Sequence, residues 1–547
     1  MEAVLAGLPI LVVGVLMIGL TWPSSRAMPV GWLMAALLAV TAWDMPLRWL
    51  AAAGLVGLIN TLDILLIVFG ALFILQLMRR SGGVAGLGES MARLSPDPRV
   101  QVLLVAWLMG SFLEGAAGFG TPAAVGAPLL VGLGFPPLVA AVVTLMADST
   151  AVTFGAVGVP IWGGFANLAD PVSPPPGESF LDYLSRIGAF AGVVHFAIGS
   201  FIPLATVTVM TKMTTGSARP GLAVWRLALA GGFALTVPQT LLAVLVGPEL
   251  PAVLGSLIGL GMFVPLVMAG WGRPREPWRF PDRRHWPAAW EGRIEAGTGD
   301  GEGPPPVGAF KAWLPYLLIS LLLLAGRLEF LGLTPWLKAW SVGWEGILGT
   351  DLGKALTPFY NPGIFPFLFV ALLIPLFHGL PVREAHAALW QTLRMLRPAA
   401  VALAFTLAMV YTMMHAGAAS GRDSMLIVLA RAAAAGLGGV WYLAAPMVGA
   451  LGAFISGSNT VSDIMFGAFQ LRTAAAAGLR EVPVLALQAV GGAAGNMICV
   501  HNVVAVLTTV GLVGKEGLVI RRNLPVAVAY GLLAGAVGWV LVWAGVG

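Results

Sequence analysis

No feature of this sequence constrains its fold more than its long runs without charge. Leu5–Trp22, Met28–Trp43, Leu62–Met78, Gly188–Thr211, Leu222–Gly247, Val253–Gly270, Trp313–Gly326, Ile364–Leu380, Pro398–Met414 and Pro525–Val546 each carry at most one Asp, Glu, Lys or Arg. About 20 apolar helical residues cross a hydrocarbon core of about 30 Å. Inside that core every backbone polar group must be satisfied within the protein. Composition agrees, with 58% of the 547 residues hydrophobic and 10% charged, against about 25% charged in soluble domains. Counting the interrupted segments below, the sequence predicts an all-α polytopic membrane protein with about 12 or more transmembrane segments.

The first run has no basic leader and no A-x-A-like cleavage site, so it is expected to remain as the first span. Basic residues gather in short loops: Arg26, Arg79-Arg80, the arginines from Arg273 to Arg293, and Lys515, Arg521 and Arg522. Such loops stay cytoplasmic, which places both termini outside. The net charge of +5 is therefore a topology signal, and no nucleic-acid partner is expected. The one long polar stretch, Gly272–Val307, is rich in Pro, Gly and Arg. It reads as a cytoplasmic linker, 272–309, between a first transmembrane half, 1–271, and a second, 310–547. Its arginines set topology, with contact to anionic lipid as the alternative. The single cysteine, Cys499, excludes an intrachain disulfide.

Internal similarity supports two halves. "GSFLEGAAG" (Gly110–Gly118) resembles "GAFISGSNT" (Gly452–Thr460). Asp63 begins "DILLIVFGALF" and Asp423 begins "DSMLIVLARAA"; Leu138–Gly158 lies roughly where Val484–Val504 lies. Three matches in one order point to a duplicated unit. Each glycine motif also breaks its apolar run. Val100–Leu113 and Pro122–Gly134 would each be about 20 Å long as helices, too short to cross alone. The expectation is two inverted repeats, each with a re-entrant or broken helix, the arrangement that marks a transporter's binding site.

Several polar residues sit in these apolar surroundings. Thr121-Pro122 fits an N-cap with proline at the first helical position, and Gly118 and Gly120 permit an unwound backbone before it. Ser458, Asn459 and Thr460 offer the same in the second half. Two opposed helix N-termini suit the carboxylate of a small substrate; close packing at capped breaks is the alternative. A carboxylate such as Glu114 in lipid costs about 2.5–3.5 kcal/mol or more. Glu114 is a candidate proton carrier, or a structural carboxyl held by backbone N–H groups. Asp148 is a second coupling candidate, or a cap at a helix break. Asp463 fits the spacing of a capping box with Thr460 and is the third coupling candidate. Asn496, His501 and Asn502 form a polar cluster that could touch substrate. Arg422 and Arg431 could pair with substrate or with Asp423. No metal-binding spacing, P-loop or nucleophile–base pair is present, so no cofactor, no metal and no enzymatic activity are expected. A homo-oligomer is left open.

"FLEGAAGFGTPAAVGAPLLVGLGF" (Phe112–Phe135), "TFGAVGVPI" (Thr153–Ile161), "GSNTVSDIMFGAFQ" (Gly457–Gln470) and "AAGNMICVHNVVAVLTTVGLVGKEG" (Ala493–Gly517) resemble the bacterial lactate permease family. The resemblance runs over essentially the whole chain. It implies proton-coupled uptake of L-lactate, D-lactate and glycolate across the bacterial inner membrane, on a fold with inverted repeats and re-entrant hairpins. The chain departs from some members of the family. Asn459 and Asp463 stand where those carry Asp and Asn, Asp148 stands where Asn is common, and Asn496 replaces a lysine. Without that lysine, one candidate partner of the substrate carboxylate is gone, so the preferred small organic acid could differ from lactate.

Overall fold

The computed structural model describes residues 2–20, 22–118, 120–169, 172, 178–272, 277–291, 304–327, 332–360, 364–512 and 514–546. Among them, ten helices are long and apolar enough to cross a membrane, and a further pair, Pro137–Ala147 with Val152–Leu168, is bent by 63°. Shorter apolar helices, among them Glu2–Met17 and Val253–Met268, fill in between. One short antiparallel hairpin, Val342–Trp344 with Lys354–Leu356, is the sole described sheet. Large apolar side chains such as Leu37, Leu245, Leu372 and Leu533 face outward, as lipid contact requires. The chain is a multi-pass membrane protein.

The order of elements is duplicated. In the first half, the helix Leu47–Arg80 is followed by Gly83–Ala92, then Pro98–Ala117, a break, Thr121–Gly132, Pro137–Ala147 and a second break. In the second half, Val382–His415 is followed by Met425–Leu437, Trp441–Ser456, a break, Asn459–Ala476, Glu481–Asn496 and again a second break. The two leading helices are both 34 residues long, and they pack against each other antiparallel. Asn60 Nδ2 donates to the Tyr411 hydroxyl at 3.1 Å near one end, Gln76 meets Met395, and Arg80 pairs with Glu384 at 2.6 Å at the other. Equivalent elements running in opposite directions are what an inverted repeat produces. Gly57 makes the approach close: a methyl there would lie 2.7 Å from the backbone nitrogen of Ala408.

This pairing corrects one sequence match. Asp63 sits in the middle of Leu47–Arg80, whereas Asp423 precedes Met425–Leu437; the two are not equivalent. A second correction concerns the first glycine motif. The helix from Pro98 runs 20 residues to Ala117, straight through Glu114, and is long enough to cross.

The ends of the molecule differ in charge. Glu2, Asp44 and Arg422 meet at one end, where Trp43 Nε1 also donates to the Asp423 carbonyl. The other end gathers Arg80, Arg99, the Pro220 carbonyl and Trp278 of the polar segment. The positive-inside rule would turn the arginine-rich end toward the cytoplasm.

Candidate functional site

Four interruptions converge at the centre. At the first, Gly118 adopts φ 62°, ψ −158° and Gly120 adopts φ 69°, conformations that glycine reaches without steric cost. Gly120 is the N-cap and Thr121 the first helical residue, so the expected Thr121 cap is corrected. The Thr121 side chain and Phe119 lie outside the described residues. At the second interruption, Gly457 closes one helix with φ 79° and Ser458 caps the next, its Oγ accepting from Val461 N at 3.4 Å. The third follows Ala147: Asp148 leaves the helix, and Ala156, Val157 and Gly158 all take positive φ. A β-branched residue at φ 59° is strained, and nothing in the sequence announces it. The fourth runs from Met497 to Cys499. Each half thus has two breaks where the sequence led us to expect one.

Between these breaks lies a cavity of about 20 Å³, lined by Glu114, Gly118, Val152, Gly155, Ala156, Pro160, Gly457, Ser458, Asn459, Thr460 and Asn496. That is room for about one water. The first glycine motif and the second therefore meet around one shared pocket. A methyl on Gly118 would lie 2.9 Å from the Ala156 Cβ, and one on Gly155 would collide with Glu114. Gly457 and Ser458 also line a larger vestibule of about 200 Å³, together with Val68, Leu72, Met395 and His501. His501 therefore lines this larger cavity and not the inner one.

Hydrogen bonds tie further candidates to the cavity. Asn496 Nδ2 donates to Asp148 Oδ2 at 3.1 Å, and Asn502 Nδ2 donates to Asn496 Oδ1 at 2.7 Å. Asn502 in turn packs on Gly120. Asn459 Nδ2 donates to the Ala489 carbonyl at 3.1 Å. Glu114 and Asp148 are near enough for their charges to interact. Among the described residues, Glu114 Oε2, Asp148 Oδ1, Asn459 Oδ1 and Asn502 Oδ1 are buried without a hydrogen-bond partner. An ionised carboxylate and an amide oxygen only accept, so these four cannot satisfy one another. A proton on either carboxyl, or a hydroxyl brought by a ligand, supplies a missing donor. The first N–H groups of Asn459–Ala476 have no partner within their own helix and begin at the cavity wall, where a carboxylate would be received.

Asp463 is elsewhere. It lies five residues inside its helix, so the capping box is not formed. Its Oδ1 accepts from Gln488 Nε2 at 3.4 Å, and Gln488 continues through Gln470 to Trp441. Arg431 pairs with Asp423 and Arg422 with Glu2 and Asp44 at the end opposite Arg80, and none of them lines the cavity. The sequence reading missed Gly155, Ala156 and Pro160; the "TFGAVGVPI" motif contains them, but they carry no polar group to draw notice. Among the described residues no group of three or more His, Cys, Asp or Glu could hold a metal.

The sequence matches the family model of L-lactate permease over residues 2–544. It is 29% identical over 488 residues to a Haemophilus influenzae protein, covering 86% of this chain and 85% of that one. It is 28% identical to an L-lactate permease of Bacillus subtilis, over 83% and 80% of the two chains. To a glycolate permease of Escherichia coli it is 26% identical, over 86% and 83%. Among solved structures, the Alcanivorax borkumensis YdaH transporter matches with a TM-score of 0.44 at 15% identity, covering 88% of this chain and 85% of that one, a likeness too loose to argue from.

Proposed function

The chain belongs to the L-lactate permease family, and on that premise we propose that it is a secondary active symporter. It brings L-lactate, D-lactate and glycolate into a bacterial cell across the inner membrane, each with protons. The observation that carries this reading is the cavity between the two glycine breaks, with Glu114 and the start of Asn459–Ala476 in its wall. The substrate carboxylate sits at that helix N-terminus, beside Asn459, Thr460 and Ser458. Its 2-hydroxyl meets the unpartnered oxygens of Asn459 or Glu114. Among the described residues, no lysine or arginine lines the cavity, which favours a singly charged anion over a dicarboxylate.

Glu114 carries the proton, with Asp148 close by and held by Asn496. The proton's charge offsets that of the substrate anion beside it, so binding the anion and binding the proton support each other. One proton per anion is electroneutral. A second adds about 2.3 kcal/mol of driving force per 100 mV. The present cavity is too small for lactate, so the breaks must part to admit it from the vestibule at Ser458 and His501.

The test is uptake of labelled monocarboxylates by proteoliposomes, with an imposed pH gradient and with sodium replaced by choline. Accumulation driven by pH and indifferent to choline is expected. Sodium dependence would convert the reading to a sodium-coupled transporter of small organic anions. Glu114→Gln is expected to abolish pH-driven accumulation, and full accumulation in that variant would remove Glu114 as the carrier.

A further inference from the structure

His195 lies on the helix Phe180–Gly199 and is wholly buried. Its Nε2 is 2.7 Å from Thr153 Oγ1, and its Nδ1 is 2.6 Å from the hydroxyl of Tyr530 on the last helix, Glu516–Trp543. The Tyr530 hydroxyl is 3.3 Å from Thr150 Oγ1. Thr153 Oγ1 donates to the Ala489 carbonyl at 3.3 Å, and that same carbonyl receives Asn459 Nδ2. With a neutral ring, a single proton order makes all of these contacts. Thr150 donates to Tyr530, Tyr530 to Nδ1, Nε2–H to Thr153, and Thr153 to Ala489. Every donor then has one acceptor. The chain begins two residues from Asp148, at the third interruption, and ends on the carbonyl that holds Asn459 at the second.

The packing leaves no slack around it. A methyl on Gly199 would lie 2.7 Å from Thr150 and 3.1 Å from the Tyr530 hydroxyl. The Phe154 ring stands edge-on to the imidazole, with centroids 6.2 Å apart. His195 itself does not line the cavity, so whatever it does there it does through these partners.

We propose that His195 is a positioning residue for transport: through Tyr530 and Thr153 it locks the Asp148 break to the Asn459 break and so sets the affinity of the cavity between them. The proposal rests on reading that cavity as the substrate site. In a dry interior the bonds of such a chain reinforce one another. Cutting any link therefore loosens both breaks to a similar extent.

Two variants of the full-length protein in liposomes test this. Tyr530→Phe removes one oxygen and keeps the ring; His195→Gln keeps a donor toward Thr153 and loses the acceptor that faces Tyr530. The one cysteine of the chain, Cys499, is buried at the fourth interruption and serves as a native reporter for a membrane-permeant maleimide. In both variants the KM for L-lactate and the labelling rate of Cys499 should rise about tenfold, the weight of one hydrogen bond. Vmax per folded molecule should hold, and the double variant should match the singles. Unchanged KM and unchanged labelling in both variants overturn the proposal. So does a fall in folded yield with KM unaltered in the protein that remains. Should His195→Gln fail to fold, Tyr530→Phe alone decides. Absence of any monocarboxylate uptake by the unaltered protein would sink the substrate reading, while Cys499 labelling would still decide the lock.

Discussion

Gly120→Ala is the substitution whose consequence the structure defines most closely. Gly120 holds φ 69° at the start of Thr121–Gly132, and an added methyl would lie 2.7 Å from Asn502 Cγ. Two costs follow. An alanine in the left-handed region costs about 1–2 kcal/mol. Moving Asn502 away breaks its 2.7 Å bond to Asn496, which contributes about 1 kcal/mol net. Together about 2–3 kcal/mol acts against the geometry that brings the first break onto the second half, equivalent to roughly 30- to 150-fold in its population. The assay is the initial rate of L-lactate uptake at low concentration, normalised to folded protein by size-exclusion chromatography. It should fall by that factor. Gly132→Ala is the control: its methyl meets nothing within 4 Å and its backbone is helical, so uptake should be unchanged. In Gly120→Ala/Asn502→Ala the collision is relieved while the backbone strain persists, and the lost bond is not recovered. That pair should therefore stay impaired and show non-additivity. Uptake by Gly120→Ala within threefold of the unaltered protein would refute the claim that this break is pinned on Asn502.

Other substitutions separate architecture from ornament. Gly57→Leu should prevent the two 34-residue helices from meeting and abolish folded yield, whereas Gly54→Leu, which meets nothing within 4 Å, should be tolerated; detergent size-exclusion profiles compare them. Arg99 and Asp97 form a buried pair at 2.6 Å, with side chains only 4% and 6% exposed, so Arg99→Ala should lower stability by about 3–5 kcal/mol. Arg80 and Glu384 are 29% and 42% exposed, and Arg80→Ala should change it by about 0–1 kcal/mol; thermal melts of the purified protein rank the two. Ser458→Ala removes the N-cap of Asn459–Ala476 and should cost about 1 kcal/mol, seen as a weakened KM larger than any shift in melting temperature.

What the sequence made legible was whatever shows as local punctuation. The charge-free runs announced the spans. Gly118, Gly120 and the Gly457-Ser458-Asn459 stretch announced two breaks, and these do meet around one cavity. Equivalence of the halves was harder to see. Leu47–Arg80 is apolar nearly throughout, while its counterpart begins "VREAHAALWQTLRMLRP", so local similarity pairs Asp63 with Asp423 instead. The left-handed run at Ala156–Val157–Gly158 could not be read, because alanine and valine disfavour it and only the surrounding packing imposes it. His195 was invisible for a different reason. It is a lone histidine in an apolar run, and its partners stand 42 and 335 residues away. Glu114 was visible, but its place inside an unbroken helix was not; helix continued through Gly115 because a following glycine, Gly118, was where the backbone turned.

The paired helices Leu47–Arg80 and Val382–His415 are 34 residues each, or about 51 Å end to end. Leaning alone would have to exceed about 50° to hide that length in a core of about 30 Å, beyond the usual range of about 0–40°. The pair therefore extends past the hydrocarbon core at one end or both. At the end where Arg80 pairs with Glu384, the Val307 amide donates to the Gly82 carbonyl just past the first helix, and His378, just before the second, meets the Lys311 carbonyl. A seam of that length, tied by Asn60 to Tyr411 and by Arg80 to Glu384, couples the two halves of the chain.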